Sequence, residues 1–194
     1  MISYSALSPA LWTDLETLFG ANGACGGCWC MAWRMEHWGK AWNELKGEKA
    51  RLSLKNLVES GSAKGILAYD DGVPVGWCAF GPRMDFLHLE SVKAYRREDA
   101  AEVWSVICFY IPRRMRGKGL SRGLLQAAVA EMRRLEVRTV EAYPSPPPAN
   151  GKQLPAAFVW TGPLKIYHEL GFVETQRLSD AKPLVRLNLK PNTP

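Results

Sequence analysis

A chain of 194 residues, 47% hydrophobic and 23% charged, suffices for one sizeable core, is too short for two, and does not have the composition of a disordered protein. The net charge of +6 is mildly basic, but much of the surplus lies in one short loop and no basic stripe is interleaved with aromatics, so nucleic acid is not the expected partner. No basic segment followed by a long apolar run opens the chain, no stretch approaches a membrane span, and the odd cysteine count argues against a disulfide framework; a cytoplasmic, thiol-reduced protein that does not engage a membrane is expected.

Ile2, Tyr4 and Ala6 alternate as in a short edge strand. Ser8-Pro9 reads as an N-cap with proline in the first turn, opening a helix that runs to about Phe19 and ends at Gly20. Next comes Cys25-Gly-Gly-Cys28-Trp29-Cys30, followed by Trp33, Trp38 and Trp42. With His37 it invites a zinc reading, but a strong zinc signal has two paired-ligand clusters and here there is one, so no metal is expected. Helical spacing would put Cys25, Trp29 and Trp33 on one stripe, as core or as pocket wall. A second helix is predicted over Glu48 to Ser60, and a hairpin over 66–80, where Asp70-Asp71-Gly72 supplies the positive φ of a tight turn. Val103 to Ile111 reads as a buried strand, Leu120 to Leu135 as an amphipathic helix and Val137 to Tyr143 as the next strand. The proline-rich segment Pro144 to Pro155 lengthens the following connection. A helix then ends at Gly171, and strands over 172–178 and 184–189 close the chain.

The most informative stretch is Arg114-Met115-Arg116-Gly117-Lys118-Gly119, set between the buried strand and the amphipathic helix. Two glycines at a strand-to-helix turn let backbone N–H groups approach an anion, and the helix N-terminus adds its positive end. Arg113, Arg114, Arg116, Lys118 and Arg122 crowd the same ten residues. A Walker A loop requires Gly-Lys-Ser/Thr, and the order Gly117-Lys118-Gly119-Leu120-Ser121 fails it. A dinucleotide fingerprint requires Gly-x-Gly-x-x-Gly, and the third glycine here is Gly123, one place late.

Arg114, Gly117 and Gly119 instead match Arg/Gln-x-x-Gly-x-Gly/Ala, and Ile111, Arg116, Gly117, Gly119 and Leu120 match its fuller form. This resembles the acetyl-CoA loop of the GNAT acetyltransferase superfamily. Tyr167-His-Glu-Leu-Gly171-Phe172 is similar to the superfamily's late Tyr-x-x-x-Gly-Phe signature. The resemblance covers roughly residues 65 to 190. It implies a single α/β (α+β) domain over residues 1–194, with a mixed, mostly antiparallel twisted sheet of six to seven strands flanked by helices. It also implies acetyl transfer from acetyl-CoA to an amine by direct attack, the acceptor being a small molecule or a peptide; a homodimer is compatible with it. Arg114, Arg116, Gly117, Lys118, Gly119, Leu120 and Ser121 would hold the pyrophosphate, and Phe109, Tyr110 and Ile111 would hold the thioester and pantetheine arm through their backbone.

Tyr167 is carried over as the acid that protonates the departing thiolate. Glu141 is the best placed carboxylate for a base, with water as the alternative, because the strand from Val103 to Ile111 has no carboxylate of its own. Trp160 stands where many members have an asparagine that contacts the cofactor, and Thr161 is the nearest polar substitute. Cys28, Trp29, Trp33 and Trp160 are the candidate acceptor-pocket residues. The Cys25 to Trp42 segment and the Pro144 to Pro155 loop are expected to converge on the acceptor side. A non-catalytic CoA-binding sensor and a zinc-dependent interaction module remain as alternatives.

Overall fold

The computed structural model describes residues 1–147, 159–179 and 182–189. Alternation makes the edge strand β1 (Ile2–Ala6), and near-continuous apolar runs buried on both faces make β2 (Lys64–Asp70), β3 (Val73–Pro82) and β4 (Val103–Tyr110); β5 (Thr139–Ala142), β6 (Val173–Ser179) and β7 (Lys182–Asn188) complete one sheet, in the order β1-β2-β3-β4-β5-β7-β6. Every pairing is antiparallel except β4 with β5. This parallel pair needs a crossover, and α5 (Leu120–Arg134) supplies it.

The period-2 alternation assigns side chains to two layers. Leu67, Tyr69, Trp77 and Ala79 face a core shared with α1 (Trp12–Phe19) and α3 (Glu48–Glu59). Ile66, Ala68, Cys78 and Phe80 face the opposite core, built from α5 and α6 (Leu164–Glu169). Gly123 is where α5 meets the edge strand, since a Cβ there would lie 1.9 Å from the Tyr4 hydroxyl.

One irregularity positions the site. Ala79 pairs with Cys108 and Phe80 with Val106, so Ile107 is an extra residue in β4. The bulge breaks the alternation: Ile107 and Cys108 both face the α1/α3 core, while Val106 and Phe109 face the α5/α6 core. The β4–β5 pairing ends at Val106 and Ala142, so the two strands part beyond the bulge and leave a cleft through the sheet.

Three segments differ from the sequence-based expectation. Residues 25–33 are not a helical stripe, because Ala24, Gly26, Trp29 and Cys30 all have positive φ and the chain turns repeatedly. Lys40–Leu45 forms a short helix, α2. Residues 83–102 fold into 3-10 turns around a second short helix, α4 (Leu87–Ser91). Among the described residues no helix is long and apolar enough to cross a membrane.

Candidate active site

Gly117 and Gly119 have φ of +75° and +77°, the left-handed region in which a side chain is strained. An added Cβ at either glycine meets nothing within 4 Å, so their role is the turn and the space it leaves for a ligand. Among the described residues, no backbone carbonyl accepts from the N–H groups of Gly117, Lys118, Gly119, Leu120 or Ser121. This row of free donors continues into the N-terminus of the 15-residue α5, and its partial positive charge is aimed at the same place. Arg113, Arg114, Arg116 and Lys118 are exposed and make no carboxylate ion pair among the described residues, whereas Arg122 reaches Glu169 at 3.4 Å. The donors and cations fit a pyrophosphate.

The cleft edge of β4 leads away from this loop. Phe109 N–H points out of the sheet edge and donates to the Trp160 carbonyl at 2.6 Å, and alternation turns the backbone groups of Ile111 the same way. Because Phe109 N–H is turned to the cleft, alternation turns the backbone groups of Tyr110 back toward β3, so of the three residues assigned to the pantetheine arm it is Phe109 and Ile111 that present backbone to the cleft. The Ile111 carbonyl already accepts from Arg116 Nε at 2.9 Å, which ties the loop to the strand. Tyr167 is fully buried; its ring packs on Phe109 and Phe172, and its hydroxyl donates to the Thr161 carbonyl at 2.9 Å. Burial pushes its pKa well above the ordinary phenol value, so it keeps its proton at neutral pH. The Thr161 hydroxyl is buried without a partner among the described residues, as expected of a group that a ligand satisfies.

On the α1/α3 side of the cleft, aromatic rings gather around Trp33. Tyr143 stacks on it at 5.7 Å, and Trp160, Tyr95 and His88 lie at 5.4, 5.9 and 5.5 Å between centroids. Trp38, 46% exposed, stacks on His88 at 4.5 Å and forms the rim. Trp33 and Trp160 thus come together. Trp29 does not join them: it packs against Trp12 and Phe19 and borders a separate groove of about 500 Å³ with Glu16, Glu48 and Arg51. Cys28 is half-buried on the same turn as Trp29, and burial pushes its thiol up to about 12. The start of the proline-rich loop meets the cleft, because Ser145 pairs with Gly162 and Leu164; residues 148–158 lie outside the described residues. No group of three metal-ligating side chains is found among the described residues.

Glu141 is completely buried, and its carboxylate is fully engaged. It accepts from Arg83 Nε at 2.8 Å, from Arg186 Nη2 at 2.9 Å and from the Tyr143 hydroxyl. Arg186 also grips Asp99 at 2.6 and 3.0 Å, and holds that carboxyl below its ordinary pKa. Arg83, equally buried, donates to the carbonyls of Leu89 and Tyr95 and pairs with Glu90, so it pins residues 83–95 and the rings they carry. Sequence reasoning missed Arg83, a lone arginine after a strand with no periodic signal to mark it.

The family model of the acetyltransferase (GNAT) family matches residues 28–150. No curated protein shows a significant sequence match to the chain. Among solved structures, an N-acetyltransferase from Staphylococcus aureus Mu50 aligns at TM-score 0.58 and 12% identity over 98% of this chain and 99% of its own. PaiA N-acetyltransferase from Thermoplasma acidophilum, solved with coenzyme A, aligns at TM-score 0.53 and 15% identity over 97% and 99%. YncA from Salmonella typhimurium, solved with acetyl-CoA, aligns at TM-score 0.53 and 17% identity over 97% and 94%. The identities are low enough that these three speak for the fold alone, but the family match spans most of the chain and includes the glycine loop. The chain belongs to the GNAT acetyltransferase family.

Proposed function

We infer that the protein transfers the acetyl group of acetyl-CoA to an amine by direct attack in the β4–β5 cleft. The observation that carries this reading is the row of five unsatisfied N–H groups from Gly117 to Ser121, beside exposed cations and at one end of a parted pair of strands. The pyrophosphate would rest on that row, the pantetheine arm along the backbone of Phe109 and Ile111, and the thioester near Thr161 and Tyr167. For the arm to pair with Phe109 N–H, the Trp160 carbonyl has to move aside.

Acetyl transfer to an amine poses two proton problems. Deprotonating an alkyl ammonium at neutral pH costs on the order of 4 kcal/mol. Glu141 is poorly suited to meet it, with its oxygens taken by two guanidinium groups and a hydroxyl and no solvent at hand. Water in the cleft is therefore the base, and Glu141 holds the scaffold. The departing thiolate takes its proton from Tyr167, whose raised pKa keeps it protonated across the working range.

Tyr167→Phe should lower turnover by about 100-fold and leave acetyl-CoA affinity within a few-fold, because it removes the hydroxyl and its bond to the Thr161 carbonyl while the ring packing stays. Full activity in the variant would make Tyr167 a packing residue. In a CoA-release assay over a panel of amines, an enzyme releases CoA in an amine-dependent way, whereas a sensor binds acetyl-CoA and leaves it intact.

The rings around Trp33 favour an acceptor amine with an apolar or aromatic body. Trp160→Ala should raise the acceptor KM by about tenfold, equivalent to ~1.4 kcal/mol, with much less effect on CoA binding. Weakened CoA binding with an unchanged acceptor KM would place Trp160 on the cofactor instead.

A further inference from the structure

Two buried polar groups near the cleft lack a partner among the described residues: the Trp33 indole N–H and the Thr161 hydroxyl, in residues 2% and 0% exposed. A buried donor with nothing to bond to has given up its hydration without return, and native structures rarely leave one so unless a ligand or water completes it. Trp33's neighbours spend theirs inside the protein. Trp38 Nε1–H donates to the Ala32 carbonyl at 2.9 Å, and the Tyr143 hydroxyl donates to Glu141.

A run of direct contacts joins the two groups to the cleft. The Trp33 ring packs on that of Trp160 at 5.4 Å between centroids, and the Trp160 carbonyl accepts from Phe109 N–H at 2.6 Å on the cleft edge. Thr161 follows directly, its carbonyl held by the Tyr167 hydroxyl at 2.9 Å. A ligand lying along Trp160 spans from the ring cluster to the place assigned to the thioester, with an unpartnered donor at each end.

Charge narrows what that ligand carries. The guanidinium groups that adjoin the cluster are already paired: Arg34, next in sequence to Trp33, with Asp85 at 3.5 Å, and Arg83, on the Tyr95 carbonyl, with Glu141 at 2.8 Å and with Glu90. Burial lowers the pKa of His88, which favours the neutral ring. A carboxylate entering among these rings would lose its water with neither arginine free to replace it, whereas a neutral carbonyl costs far less to bury and accepts a single N–H well.

We propose that Trp33 selects the acceptor through its indole N–H, which donates to an uncharged carbonyl oxygen on a primary amine with an aromatic body. The inference rests on acetyl transfer in the β4–β5 cleft. The substrate class is an aromatic amino acid amide or a compound like it, rather than a free amino acid or a plain arylalkylamine. The Thr161 hydroxyl remains for the acetyl-CoA end.

The test measures amine-dependent CoA release by the full chain with phenylalanine amide, phenethylamine and phenylalanine, which share ring and amine but carry a neutral carbonyl, no carbonyl and a carboxylate. Rates are referred to the unprotonated amine, and acetyl-CoA binding is followed by calorimetry in parallel. Phenylalanine amide should exceed each of the others in kcat/KM by about tenfold, because a site built to donate a hydrogen bond rejects an analogue that leaves the donor unpaired. Trp33→Phe keeps a ring and removes the N–H; it should lower kcat/KM for phenylalanine amide by about tenfold and that for phenethylamine by less than about threefold. Equal loss on both amines in the variant, or phenethylamine or phenylalanine matching the amide in the unaltered chain, would overturn the proposal and leave acetyl transfer intact. The comparison in the unaltered chain decides the matter if Trp33→Phe does not fold. Acetyl-CoA that binds but releases no CoA with any of the three would overturn the substrate class, and absence of acetyl-CoA binding would overturn the donor assignment with it.

Discussion

Glu141→Ala is expected to destabilise the fold by about 3–5 kcal/mol, the cost of leaving buried guanidinium charge without its partner. Arg83 is buried beside Glu141 at 2.8 Å and has no solvent to turn to once the carboxylate is gone. The same substitution frees the Tyr143 hydroxyl and half of the Arg186 contacts, so the loss spreads from β5 to β7 and to the segment pinned at Leu89 and Tyr95. Urea unfolding checks this directly, through the fall in midpoint at constant slope. A loss below about 1 kcal/mol would mean that the network is not coupled to folding. Replacing Arg83 and Glu141 together by apolar residues of similar volume should cost less than Glu141→Ala alone, since no unpaired charge remains from that pair. The experiment also separates scaffold from base: a base would lose turnover in Glu141→Gln with stability unchanged.

Gly119→Glu should weaken acetyl-CoA binding by at least about tenfold, equivalent to ~1.4 kcal/mol. A side chain at φ +77° is strained in itself, and a carboxylate there faces the row of N–H donors that a pyrophosphate would use. An added Cβ meets no neighbouring atom within 4 Å, so no clash adds to the backbone strain and the carboxylate acts on the ligand. Calorimetry with CoA on a variant of native circular dichroism is the measurement. Unchanged affinity would remove this loop from the cofactor site.

Local chemistry made the loop legible in the sequence. Gly117, Gly119 and the change from strand to helix period are short-range signals, and the hairpin at Asp70-Asp71-Gly72 and the helix stop at Gly171 are of the same kind. The order of the main strands and helices followed from such signals, and the mixed sheet from the family resemblance. The bulge at Ile107 was not legible, because an extra residue in a continuously apolar strand changes no pattern that a single chain displays. Nor was the fate of the tryptophans. Spacing alone put Trp29 and Trp33 on one stripe, but left-handed φ at Trp29 and Cys30 sends Trp29 to α1 and Trp33 to the cleft. Glu141 illustrates the remaining gap: the chain shows a carboxylate on a strand beside a cleft, and only long-range packing supplies the arginines, 58 and 45 residues away, that occupy it.

A crystal structure of the protein with CoA would decide whether the cofactor lies in the β4–β5 cleft. The expected complex has pyrophosphate oxygens on the N–H groups of Gly117 to Ser121, the pantetheine arm paired with the backbone of Phe109 and Ile111, and the sulfur at the cleft between Tyr167 and the rings around Trp33. CoA bound elsewhere, or a Phe109 amide still held by the Trp160 carbonyl with the arm running outside the cleft, would contradict it.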